Sequence, residues 1–174
     1  MAVSSAGARG ILTAGPVDSR IRILDRDAVL AWRARQRGPV VFTNGVFDLL
    51  HPGHVDLLEA ARALGEALVV GINTDRSVRR LNKGLARPLV GEADRARLVA
   101  GLAAVDCVTL FDEDTPLHLI ESLRPDVLAK GGDYTLASMV GADRVTAWGG
   151  RAVILPLVPG YSTTSLLERF RASS

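Results

Sequence analysis

The stretch VVFTNGVFDLLHPGH, Val40 to His54, decides how this chain is read. Val40, Val41 and Phe42 form an apolar run without polar alternation, the mark of a strand covered on both sides. Thr43-Asn44-Gly45 ends the run, and His51-Pro52-Gly53-His54 follows within nine residues. Two of the chain's three histidines sit in that four-residue knot. Val55, Leu57, Leu58, Ala61 and Leu64 then share one helical face, so the knot stands where a helix begins. A helix start presents unpaired N–H groups and a partial positive charge, which suits phosphate.

Working outward, the same alternation recurs. Asp25 is placed to cap a helix through Val29, Leu30 and Trp32 to about Arg37, and Gly38-Pro39 stops it. Further apolar strands are expected at Ala67 to Ile72, Val105 to Phe111, Val127 to Ala129 and Ala152 to Leu155. Helices are expected after Asp75, over Glu92 to Leu102, over Pro116 to Leu123 and near Met139 to Trp148. Gly65 is read as the end of the second helix, and a last helix is expected from Ser162 to Ser165. Strands of this kind separated by helices predict one α/β domain, a three-layer sandwich whose five-stranded, mainly parallel sheet carries helices on both faces. Residues 1–20, rich in Ala, Gly and Ser, are expected to be mobile, and 21–174 to form the domain.

Composition narrows the function classes. A 48% hydrophobic content supplies a full core, and a net charge of +2 does not suggest nucleic-acid binding. No apolar run reaches the roughly 18 residues of a membrane span, and no secretory signal is visible, so a cytoplasmic protein is expected. The single cysteine, Cys107, lies in an apolar strand and reads as an inert core thiol. Arg76, Arg79, Arg80, Lys83 and Arg87 gather after the second strand, where a solvated face and an anion site are both open readings.

In a parallel sheet, ligands bind beyond the carboxyl ends of the strands. The segments at those ends are Thr43 to Asp48, Asn73 to Asp75, Phe111 to Asp114, Lys130 to Asp133 and Pro159 to Thr164. They are predicted to converge on one rim. His51 and His54 lack a third convincing ligand nearby, so phosphate contact ranks above metal ligation. Gly45 and Gly53 serve as turns or permit close backbone approach to a ligand. Asn73 and Asp75 read as rim residues or as caps, with Asp75 expected to do some of the capping. Ser162, Thr163 and Thr164 suit either an N-cap or a polyphosphate.

The order of these motifs resembles the His-x-Gly-His nucleotidylyltransferases. The residues that carry the likeness are NGVFDLLHPGHVDLLEAAR, INTDRSVRRL, VDCVTLFDEDTP, KGGDY and GYSTT, from Val40 to the C-terminus. Within that family the pattern is most similar to the heptose 1-phosphate adenylyltransferases, the C-terminal domain type of two-domain ADP-heptose synthases. Here that domain is expected to stand alone. The resemblance implies a Rossmann-like fold and the joining of ATP to D-glycero-D-manno-heptose 1-phosphate, with Mg²⁺ carried by the nucleotide. It implies nucleotide contacts from Thr43, Asn44, Gly45, Val46, Phe47, Gly53, His54, Lys130, Ser162, Thr163 and Thr164. It implies catalytic roles for His51, His54 and Lys83. Sugar-phosphate contacts fall to Asp48, Asn73, Asp75, Lys83, Arg87, Arg95 and Asp133, with Asp48 alternatively ordering its loop. A homodimer is compatible with such a fold, Trp32 being placed to support it. Two rivals are a cytidylyltransferase acting on glycerol 3-phosphate or phosphoethanolamine and a non-catalytic nucleotide-binding module. Relatives of the first kind carry an Arg just before Gly-x-Ser-Thr-Thr; Pro156 to Tyr161 here holds none.

Overall fold

The computed structural model describes residues 18–81, 87–132, 135–156 and 160. Five strands form one sheet in the order β3-β2-β1-β4-β5, every pairing parallel. They are β1 (Val40–Gly45), β2 (Ala67–Asn73), β3 (Cys107–Phe111), β4 (Val127–Gly131) and β5 (Arg151–Leu155). The helices are α1 (Arg26–Ala34), α2 (Pro52–Arg62), α3 (Asp75–Arg80), α4 (Glu92–Ala100), α5 (Leu117–Leu123) and α6 (Ala142–Ala147).

Strand alternation divides the core between the two sheet faces. Val41, Leu68, Val70 and Val108 pack with Leu58 and Ala61 of α2 and Ala96 and Val99 of α4. Val40, Phe42, Val69 and Leu128 pack with Val29 of α1, Leu119, Ile120 and Leu123 of α5 and Val145 of α6. Trp32 lies against this second cluster. All seven β2 residues are buried, which is why that run shows no polar alternation. The predicted three-layer sandwich is therefore the observed one. Among the described residues no helix is long and apolar enough to cross a membrane.

Several boundaries and caps differ from expectation. β1 runs on through Asn44 and Gly45, because Asn44 pairs with Gly71 and Gly45 with Ile72 of the neighbouring strand. β4 extends to Gly131 by pairing with Leu155. α1 stops at Ala34, three residues short of Arg37, and α6 is preceded by a separate 3-10 turn, Leu136–Ser138. Thr74, not Asp75, caps α3: its hydroxyl accepts the Ser77 N–H at 3.1 Å. Gly65 lies beyond α2, which ends at Arg62 with Ala63 as its C-cap. A Cβ at Gly65 would sit 2.6 Å from the Pro39 carbonyl oxygen, so that glycine serves close packing rather than helix termination. The stretch expected to be mobile includes residues 18–20, where Asp18 caps a 3-10 turn, Ser19–Arg22. Arg22 Nη1 ties that turn down by donating to the Val105 carbonyl at 2.8 Å. Residues 1–17 and the helix expected from Ser162 lie outside the described residues.

Candidate active site

Because the sheet is wholly parallel, the carboxyl ends of its strands share one edge. A cavity of about 260 Å³ opens there, lined by Asn44 and Gly45 at the end of β1 with Val46 beyond, Asn73 at the end of β2, Asp114 to Pro116 after β3 and Lys130 of β4. Four of the five segments read as rim-forming thus meet. The fifth, Pro159 to Thr164, falls outside the described residues apart from Gly160, as do Lys83 and Asp133. Ser138, Met139 and Val140 complete the wall with Leu81 and Leu128. Sequence reasoning missed this last group, because Met139 and Val140 look like the start of α6 rather than a loop folded over the rim.

The histidine pair is built by the start of α2. His51 occupies the N-cap with extended backbone and makes no side-chain cap bond, and Pro52 stands at the first helical position. His54 is three residues on, one helical turn away on the same face. The two imidazoles stack with centroids 3.8 Å apart and planes inclined by 19°. The Phe47 ring also packs against His54, with centroids 5.1 Å apart and planes tilted by 55°. Burial lowers the pKa of His51 below the ordinary histidine value. Burial, and then the charge of His51, hold His54 down at about 4. Without a ligand at neutral pH, both rings are therefore neutral and present one N–H donor each.

Phe47 owes its place to a left-handed backbone, φ +51°, at the turn leaving β1. A Cβ on Gly45 would stand 2.9 Å from the Phe47 ring, so only glycine lets that ring fold back over the strand end. Next along, Asp48 is 3% exposed. Its carboxylate accepts from the Leu89 N–H at 2.7 Å, the Val90 N–H at 2.9 Å and Arg87 Nη1 at 3.0 Å. Of the two roles read for Asp48, the geometry satisfies loop ordering, and Arg87 is its partner.

Arg95 and Asp75 also sit differently from a simple phosphate contact. Arg95 is 0% exposed and bonds to the carbonyls of Val46, Asn73 and Val90 and to Asp75. It lies beneath the rim rather than on it. Asn73 lines the cavity while its side-chain amide donates to Ser77 Oγ at 2.9 Å. Lys130 Nζ donates to the Asn44 carbonyl at 3.0 Å and to Asn44 Oδ1 at 3.1 Å, which sets an ammonium beside the β1 exit. Thr43 is fully buried in β1, and Gly53 lies in the first turn of α2. Arg76 and Arg80 of the basic cluster face carboxylates: Arg76 binds Asp112 through two nitrogens, and Arg80 Nε donates to Asp114 at 2.7 Å. The Arg76 and Thr74 bonds hold the Asp112 carboxyl down at about 2. These exposed pairs offset part of the cluster's positive charge, and of their carboxylates Asp114 lines the cavity. His118 is exposed on α5, and the Cys107 thiol is pushed up to about 12 by burial.

The family model described as cytidylyltransferase-like matches residues 42–166. The chain belongs to the cytidylyltransferase-like family. It carries the domain of a nucleotidyltransferase enzyme, as its motifs implied. It is 58% identical over 143 residues to the bifunctional protein HldE of Koribacter versatilis, covering 82% of this chain and 29% of that protein. It is 53% identical over 158 residues to the HldE of Geotalea uraniireducens, covering 90% of this chain and 32% of the relative. This cytidylyltransferase-like chain thus spans about three-tenths of the length of the curated relatives it matches. Among solved structures, the lipopolysaccharide core biosynthesis protein of Thermoplasma volcanium matches with a TM-score of 0.57 and 28% identity, over 70% of this chain and 97% of that one. The pantoate-beta-alanine ligase of Francisella tularensis matches at 14% identity with a TM-score of 0.55, over 86% and 76% of the two chains. At that identity it is a likeness of fold alone.

Proposed function

We propose that this chain transfers the adenylyl group of ATP to D-glycero-D-manno-heptose 1-phosphate, giving ADP-heptose and pyrophosphate. The observation that carries the reading is the stacked histidine pair at the start of α2, standing in the motif order of heptose 1-phosphate adenylyltransferases. The 52–58% identity to HldE proteins supports the choice of branch. In the proposed step a phosphate oxygen of the sugar attacks the α-phosphorus in line. The bond from that phosphorus to the oxygen bridging to the β-phosphorus breaks, and pyrophosphate leaves. The sugar phosphate is already an anion at neutral pH and needs no strong base. What the protein must do is hold two anions together, so positioning and fixed donors carry most of the rate. His51 and His54 donate to the nucleotide phosphates, with Lys130 at the β1 exit. Lys83, Ser162, Thr163 and Thr164 are assigned to the phosphates as well, and Asp133 to the sugar. Among the described residues no group of three or more His, Cys, Asp or Glu could hold a metal. Mg²⁺ enters this reading as part of the substrate, on the triphosphate.

The deciding experiment measures pyrophosphate release while crossing ATP, CTP, GTP and UTP with heptose 1-phosphate, glycerol 3-phosphate and phosphoethanolamine. Turnover is expected with ATP and heptose 1-phosphate. Turnover confined to CTP would transfer the reading to the cytidylyltransferase rival, and binding without release in any pairing would leave a nucleotide-binding module.

The neutral imidazoles give a second test. A bound triphosphate favours the charged form of any nearby imidazole and raises its pKa. Nucleotide binding at about pH 6, near the ordinary histidine value, should therefore take up protons. Calorimetry in two buffers of different ionisation enthalpy reads this directly. Uptake should shrink as the pH rises toward 8 and largely vanish in His51→Ala/His54→Ala. No uptake at any pH would remove the pair from the phosphates.

A further inference from the structure

Arg95 heads the fully buried side chains by size, yet it does not line the cavity. Its guanidinium joins three chain segments that leave different elements. Nη1 donates to the Val46 carbonyl at 2.6 Å, after β1. Nη2 donates to the Asn73 carbonyl at 2.9 Å, at the end of β2, and to Asp75 Oδ1 at 2.7 Å, at the start of α3. Nε donates to the Val90 carbonyl at 2.9 Å, in the loop that precedes α4. A buried cation persists only when it is paired and its donors are satisfied, and here the planar fork meets both needs. The residue after Val46 is Phe47, held at φ +51°. A non-glycine side chain stays in that region only where its surroundings over-determine it. The bond from Arg95 fixes the carbonyl immediately ahead of that turn, and the turn directs the Phe47 ring onto His54.

We propose that Arg95 is a positioning residue for the histidine pair: by clamping the Val46 carbonyl it holds the left-handed turn that seats the Phe47 ring against His54. The part of this inference that concerns turnover rests on the nucleotidyl-transfer reading above; the part that concerns His54 does not. With the ring in place, His54 is packed against Phe47 and stacked on His51, its titratable neighbour. When the clamp loosens, the turn relaxes, water reaches the imidazole, and its desolvation is relieved.

The test follows His54 by NMR titration in substrate-free protein, comparing the parent with Arg95→Lys and Phe47→Leu. Lysine keeps the charge but cannot span three carbonyls. In both variants the His54 midpoint, about 4 in the parent, is expected to rise. The rise should be about half a unit or more, since exposure restores hydration of the charged form. In Arg95→Lys, kcat should fall about tenfold with a smaller change in KM for the nucleotide, the signature of lost alignment rather than lost binding. An unmoved His54 midpoint in folded Arg95→Lys, or in Phe47→Leu, overturns the proposal. Should Arg95→Lys fail to fold, Arg95→Gln takes its place, since its short neutral amide cannot reach the Val46, Asn73 and Val90 carbonyls together; an unmoved midpoint there overturns the proposal equally. If the midpoint rises while no nucleotide is turned over even by the parent, the positioning role stands and the functional reading falls.

Discussion

His54→Ala is expected to lower kcat for pyrophosphate release by about 100- to 1,000-fold, the loss found when one well-placed donor to a developing charge is removed. The expectation rests on three features of the site. The ring is fixed by stacking on His51 and by the Phe47 ring, so its N–H does not have to be ordered during the reaction. It is neutral at working pH, held at about 4 by burial, so it donates without first giving up charge solvation. It stands one turn into α2, where the helix's own amides already favour an anion. The substitution removes a partly exposed ring, so thermal denaturation should show a shift of only a few degrees. His118→Ala, on the exposed face of α5, is the control and should keep parental turnover. If His54→Ala turned over within a factor of about three of the parent, too small to be the loss of such a donor, the histidine pair would not be the phosphate-binding element.

Asp48→Ala should produce the largest change in stability. The Asp48 side chain is 2% exposed and that of Arg87 17%, so the pair is largely withdrawn from water. Removing the carboxylate strands the Arg87 guanidinium and leaves the Leu89 and Val90 amides without their acceptor. Breaking a buried pair in this way costs about 3–5 kcal/mol. For a chain of this size that corresponds to a fall in Tm of roughly 6–20 °C. Asp48→Asn keeps an acceptor for the amides and should fall between the two. Amide hydrogen exchange at Leu89 and Val90 should quicken in step with the loss of Tm. A parental Tm in Asp48→Ala, together with a raised KM for the sugar phosphate, would mean instead that the carboxylate serves the second substrate.

The strands and the shared rim were legible because their signals are local. An apolar run without polar alternation has only one comfortable home, a sheet covered on both faces, and a parallel sheet brings every strand end to the same edge. Asn44, Asn73 and Lys130, which line the cavity, were placed on the rim in that way, each as the polar residue at or just after an apolar run. Arg95 and Asp48 show where such reading stops. Both are charged residues next to phosphate-type motifs; Arg95 reads as a ligand contact, and Asp48 as either a ligand contact or the residue that orders its loop. Besides one charged partner each, Arg87 and Asp75, they are held by backbone carbonyls and amides drawn from residues 46, 73, 89 and 90. Backbone groups carry no sequence signature, so no spacing of side chains announces that a cation will be buried among them.

The amino-acid sequence by itself determined the α/β sandwich, the histidine pair at a helix start and the family to which the chain belongs. Those follow from hydrophobic period, from cap and turn chemistry, and from residues close together in the chain. Only the tertiary structure decided that the two imidazoles are stacked and desolvated, and that Asp48 and Arg95 hold the rim from below. Desolvation depends on what packs over a group from elsewhere in the chain. Against His54 that includes the Phe47 ring, brought there from a turn with a left-handed backbone that sequence patterning does not reveal.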